Sequence, residues 1–259
     1  MSNRRRWTRQ ELLIAFGLYC RMPFGKLHKQ NPEIIKIAGL IGRTPSALAM
    51  KLTNIASLDP EITATGRKGL TGASAADRAM WQEMKSGWEN FALDSAGAIH
   101  SIMQGSEADD SEDESSPEYQ DYSSTDRIVQ TKTRIGQNFF RKAVLSAYNY
   151  RCCITGLSIP KLLVASHIVP WHIDSANRLN PRNGLALSVL HDKAFDLGMI
   201  TINEDMTVRV SKKEFRVSND FVATTLKSYD GKSIELPDKF RPDEGLLDYH
   251  RQNIFAENG

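Results

Sequence analysis

Residues 162–198 read LLVASHIVPWHIDSANRLNPRNGLALSVLHDKAFDLG. LLVAS (162–166) is a short apolar run of strand character that delivers His167 at its end. The next stretch, IVPWHIDSANRLNPRN, is polar and carries two prolines, so it reads as a loop. GLALS (184–188) reads as a second strand. Ser188 can cap a short helix, VLHDKAFDL, which Gly198 can end. The order is therefore strand, histidine, loop, asparagine, strand, helix with histidine. His167, Asn183 and His191 are the polar residues at the three junctions.

The flanks extend this unit. QNFFRKAVLSAY (137–148) has helical periodicity, with Phe139, Val144 and Leu145 on related faces. RCCITG is a turn closed by Gly156. MITINEDMTVRVS (199–211) alternates strand, turn and strand, which is a hairpin. The N-terminal part reads as helical. Thr8 and Glu11 have capping-box spacing ahead of Leu12, Leu13, Ala15, Phe16 and Tyr19. Asn31-Pro32 and Thr44-Pro45 each offer an N-cap followed by a first-turn proline. The two helices so started, joined by GRT, resemble a helix-turn-helix, with Ser46, Ala49, Met50, Thr53 and Asn54 facing outward and small enough to approach a groove.

The chain has 259 residues, 41% of them hydrophobic, and a formal net charge of +2. No apolar run is long enough for a membrane span, and no signal-peptide pattern follows the basic start, so a cytoplasmic protein with no membrane partner is expected. Three cysteines, two of them adjacent, do not suggest a disulfide framework. Residues 104–126 contain many acids and no base, and such a segment cannot bury apolar surface; it is expected to be a disordered linker. The expected organisation is α+β: a helical N-terminal DNA-binding domain (1–103), the acidic linker (104–126) and a C-terminal domain (127–259). Without the linker both folded parts are cationic, as a nucleic-acid binder requires.

The pattern ASHIVPW, then NPRNGLAL, then LHDKAFDLG resembles the HNH nuclease motif, the ββα-metal finger. RIGQNFFRKAVLSAY and the terminal DYHRQNIF are similar to parts of one branch of that family. The resemblance covers roughly residues 132–256. It implies a ββα-metal domain that hydrolyses phosphodiesters with a divalent cation, Mg²⁺ or Mn²⁺. It also implies that His167 activates water, that His191 binds the metal, and that Asn183 holds the loop so that His167 keeps its orientation. A histidine near its ordinary pKa is a competent base at neutral pH. Asp196 is a further candidate metal ligand, ahead of Asp192, although it could equally cap or pair locally.

Two departures stand out. Many relatives carry Asp or His before the general base, and here that position is Ser166, a poor ligand. Many also carry two CxxC pairs for zinc; here Cys152 is followed by Thr155, and Leu187 and Leu190 stand where the other pair would lie, so no structural zinc is expected. Arg134, Arg141, Lys142, Arg178, Arg182 and Lys193 surround the motif and are expected to meet phosphates, with Ser46 and Asn54 reaching DNA from the N-terminal domain. The whole resembles a restriction enzyme, one class of which recognises modified bases, acting on double-stranded DNA as a homodimer. The rivals are a non-catalytic DNA-binding regulator on an HNH scaffold, which Ser166 favours, and an RNA- or single-strand-directed toxin nuclease.

Overall fold

A computed structural model describes residues 5–67, 69–104, 124–213 and 219–255, with the backbone alone described for 124–131. The greater part of the acidic segment, 105–123, lies outside the described residues; Gln104 and Ser124–Asp126 belong to helices on either side.

The N-terminal helices begin where their caps place them. α1 (Arg9–Arg21) has the Thr8–Glu11 capping box, α2 (Pro32–Leu40) is capped by Asn31, and α3 (Pro45–Ala56) by Thr44. α4 (Pro60–Ala64), α5 (Ala75–Ser86) and α6 (Trp88–Gln104) follow. α1 is buried nearly all round, from Glu11 to Cys20, which makes it the central helix of the layer. Gly17 lets it lie close to α6, where Ser95 Oγ donates to the Leu13 carbonyl at 2.9 Å. The α2–α3 pair is present, but its outer face is not open throughout. Ser46 and Met50 are exposed, whereas Ala49 is buried and Asn54 is half-covered, with Gly72 packed against its amide.

α7 (Ser124–Ala147) runs between the two parts of the chain. One side meets α1, where Ser146 Oγ donates to the Cys20 carbonyl at 3.1 Å. The other side carries the two-stranded antiparallel sheet of β1 (Leu163–His167) and β2 (Gly184–Ser188). The register pairs Leu163 with Ser188, Ala165 with Ala186 and His167 with Gly184. β2 is buried along its whole length. α8 (Val189–Asp196) follows it directly, capped by Ser188. The expected hairpin is β3 (Ile200–Ile202) with β4 (Val208–Val210). α9 (Asp220–Thr225) and α10 (Glu244–Asn253) complete the described chain.

The buried apolar residues of the N-terminal helices, α7 and the sheet form one cluster. Lys239 ties the two ends of the chain together from inside it: its Nζ donates to the Met22 carbonyl at 2.8 Å and to the Tyr19 carbonyl, where α1 ends. Among the described residues, no helix is long and apolar enough to cross a membrane.

Gly184 sets how closely β2 approaches α7. A Cβ there would stand 2.4 Å from Val144 Cγ2 and 2.9 Å from Phe140 Cζ. Gly184→Ala is therefore expected to cost about 1–3 kcal/mol through overpacking. Thermal unfolding measures it, and a Tm within about 1 °C of wild type would contradict this close approach.

Candidate active site

β1 ends by presenting His167 into a cleft of about 440 Å³. Its walls include Ser166, Trp171, Asp192, Asp196 and His250. The imidazole is held on both sides. The Phe140 ring stacks on it at 3.9 Å between centroids and 6° between planes, and Trp171 meets it edge-on at 5.6 Å. Nε2 lies 2.9 Å from the Arg178 carbonyl oxygen. A carbonyl only accepts, so Nε2 carries the proton and Nδ1 keeps its lone pair. Burial pushes the His167 pKa down; the Arg178 carbonyl and the Asp192 carboxylate act the other way. The ring is therefore neutral at neutral pH, with Nδ1 as its basic atom.

Asn183 is fully buried at the far side of the loop. Its Oδ1 accepts from Val169 N–H at 2.8 Å, and its Nδ2 donates to the Val169 carbonyl at 3.1 Å and the Asn177 carbonyl at 3.3 Å. The loop between is itself knit together. Asp174 accepts from the amides of Ala176 and Asn177, and Asn180 Nδ2 donates to Asn177 Oδ1 at 2.9 Å.

α8 divides its residues by face. Asp192 and Asp196, four apart, share one face and line the cleft. His191, about 100° away around the helix, is turned into the interior with Phe195. Ser188 Oγ lies 2.8 Å from His191 Nδ1, the Tyr229 ring meets it edge-on at 5.4 Å, and Nε2 is buried without a hydrogen bond of normal geometry. The structure thus brings His167, Asn183 and Asp196 to one loop-and-cleft unit. His191, expected as a metal ligand, is not among the residues that line the cleft. Asp192, ranked lower from the sequence, lines it instead. The i,i+4 spacing of Asp192 and Asp196 was the signal that could have shown it.

The two carboxylates are electrostatically uncomfortable. Burial raises the pKa of Asp192, Asp196 raises it further, and the Ser166 hydroxyl, Lys193 and His167 oppose the rise. Burial likewise raises Asp196, against Lys193. Ser166 is buried, and its Oγ, though near enough to act on Asp192, makes no hydrogen bond of normal geometry. Among the described residues, no three His, Cys, Asp or Glu side chains are grouped to hold a metal on their own. Cys152 and Cys153 are buried thiols without a disulfide.

The expected DNA contacts divide as well. Arg134, Lys142 and Lys193 are exposed. Arg141 instead donates to the Leu163 carbonyl at 3.0 Å, Arg178 pairs with Glu89, and Arg182 pairs with Glu61 at 2.5 Å. These three arginines serve the fold, because carboxylates and a carbonyl of the same chain already meet their guanidinium groups. Ser46 is exposed, whereas Asn54 lies under the 69–72 loop with its Oδ1 buried and unpaired.

His250 closes the back of the cleft and stacks on Phe195, donating through Nε2 to the Phe195 carbonyl at 3.1 Å. Burial lowers its pKa to about 4, with Arg251 adding to the fall and the Phe195 carbonyl opposing it. An exposed histidine takes up its proton near about 6.5. The unfolded chain therefore binds more protons between these values, and stability is complete above about 6.5 and falls as the pH drops toward about 4. The loss reaches about 3 kcal/mol for this one group. Urea midpoints at pH 7 and 4.5 test this: His250→Leu should show a smaller drop than wild type, and an equal drop would refute the assignment.

No curated protein matches the chain. Residues 152–203, which run from the Cys152 turn through β1, the loop, β2 and α8 to β3, match the HNH endonuclease family model.

Proposed function

We propose that the protein is a metal-dependent endonuclease that hydrolyses DNA phosphodiesters, and that the free Nδ1 of His167 is the general base. The observation that carries this is the hydrogen bond from His167 Nε2 to the Arg178 carbonyl. It leaves the basic nitrogen unpaired beside the cleft that holds Asp192 and Asp196. Nδ1 takes a proton from water as the water oxygen bonds to phosphorus; the P–O bond to the leaving alkoxide breaks, and solvent protonates that alkoxide. The resulting imidazolium keeps its Nε2–H on a carbonyl oxygen and faces the negative Asp192, both of which favour the charged form. Asn183 fixes the loop that carries these partners.

The residues fit a hard divalent cation. Two carboxylates on one helical face, Asp192 half-buried and Asp196 exposed, with the Ser166 hydroxyl beside them, offer oxygen donors and negative charge. Asp192 and Asp196 would hold Mg²⁺ or Mn²⁺, with water and substrate phosphate supplying the remaining oxygens. When bound, the cation supplies Lewis-acid relief of charge on the phosphate and its leaving oxygen. His191 serves the packing of α8 in this reading. Double-stranded DNA is the proposed substrate, with a restriction role and a homodimer to cut both strands; gel filtration with and without DNA checks the assembly.

Plasmid cleavage with Mg²⁺ or Mn²⁺ tests the proposal. EDTA should abolish cutting, and His167→Ala should slow it at least about 100-fold. Asp192→Asn should lose activity with its stability retained, whereas His191→Ala should lose stability first. Failure of the wild type to cut any DNA, modified or not, with any divalent metal would sink the enzyme reading in favour of a DNA-binding scaffold. A His191→Ala protein that stays folded yet is as inactive as Asp192→Asn would return the ligand role to His191.

A further inference from the structure

The nuclease loop is held from outside the HNH segment at the residue that matters most to His167. The Arg178 carbonyl accepts from His167 Nε2. The Arg178 guanidinium lies over the Trp171 ring, 5.3 Å from its centroid, and Trp171 in turn meets His167 edge-on. Two routes, one through backbone and one through an aromatic ring, thus lead from Arg178 to the imidazole. Arg178 itself is anchored by Glu89, in the first turn of α6, 89 residues away in sequence. Arg178 Nε is buried without a partner, so Glu89 is its principal polar anchor. The carboxylate stands in the first turn of α6, at the positive end of the helix macrodipole.

We propose that Glu89 is a positioning residue for the nuclease: by fixing Arg178 it holds the peptide carbonyl that sets the tautomer and orientation of His167. The N-terminal helices then take part in forming the competent base as well as in any contact with DNA. The proposal rests on the reading of His167 as the base. Its competitor is specific: Glu89 could instead mask Arg178 from substrate phosphate, in which case removing its charge would free a cation for DNA.

The two differ in what they predict for Glu89→Gln, which is nearly isosteric and keeps an acceptor. If Glu89 positions His167, kcat falls 10- to 100-fold, the range typical when such outer partners are lost, while KM stays within about twofold. Glu89→Asp, which keeps the charge, stays closer to wild type than Glu89→Gln. A masking role would instead lower KM and leave kcat unchanged, which would overturn the proposal. A second readout needs no cleavage. In the full chain labelled with ¹⁵N-histidine, the His167 ring, assigned by its loss in His167→Ala, should show a protonated Nε2 and an unprotonated Nδ1. In Glu89→Gln this pattern should give way to mixed tautomers. Glu83→Gln, which breaks the surface pair with Arg9, is the control and should leave both readouts unchanged. If His167 has the wild-type tautomer pattern in Glu89→Gln, the proposal is wrong even where the protein cuts DNA. If the wild type shows the pattern but cuts nothing, the nuclease reading fails while the positioning contact stands.

Discussion

The arrangement of the cleft depends on the amide of Asn183. β1 and β2 pair up to His167 and Gly184, and the Ile168 N–H still reaches the Asn183 carbonyl at 3.0 Å. Beyond that point the chains diverge, and the Asn183 side chain takes over. It bonds both the N–H and the carbonyl of Val169, as an opposing peptide would. Val169 is buried, so without this partner two polar groups would be orphaned, each at a cost of about 1–3 kcal/mol. The side-chain amide thus extends the ladder by one residue past His167. It also keeps the backbone at 167–169 from twisting the imidazole away from the Arg178 carbonyl.

A ladder of two short strands would not hold the His167 ring unaided, since isolated hairpins are marginal in water. α7 supplies the missing layer. Its Phe140 covers one face of the His167 ring and packs beside Gly184, so the same side chain seats the histidine and sets the sheet spacing. α7 in turn rests on α1, and Lys239 closes the arrangement from the C-terminal side. Burial lowers the Lys239 pKa to about 8, against the pull of nearby acids, yet its ammonium still meets the carbonyl end of α1. The HNH segment is therefore built into a larger core, and the N-terminal helices form part of its support.

The features legible in the sequence are those set by near neighbours. The caps at Thr8, Asn31, Thr44 and Ser188 depend on residues two or three positions away, and each is found in place. The strand–loop–strand–helix order around His167 follows from local periodicity and from Pro and Gly. What could not be read depends on distant segments. Arg178 and Arg182 look like phosphate contacts until Glu89 and Glu61, 89 and 121 residues away, are placed against them. Asn54 looks like an outward recognition residue until the loop at Gly72 covers it. Charge and exposure are properties of the fold, and a one-dimensional pattern shows only that a cation or amide is present.

The carboxylate side of the cleft shows the same limit at a spacing of one residue. Choosing a ligand by residue type selects His191, because imidazole is a common ligand and the resemblance supplies a histidine at that place. Choosing by helical face selects Asp192. The rotation of about 100° per residue puts neighbours on different sides, whereas residues four apart stay together. Phe195, four residues after His191, is fully buried, and Asp196, four after Asp192, opens on the cleft. His191 is also engaged locally, since its Nδ1 lies against the hydroxyl that caps its own helix. Turning it to the cleft would break that contact and rotate Asp192 and Asp196 out. If these carboxylates hold the cation, as proposed, they would favour a hard, oxygen-seeking one, and the small Ser166 beside them would leave the other donors to water and phosphate.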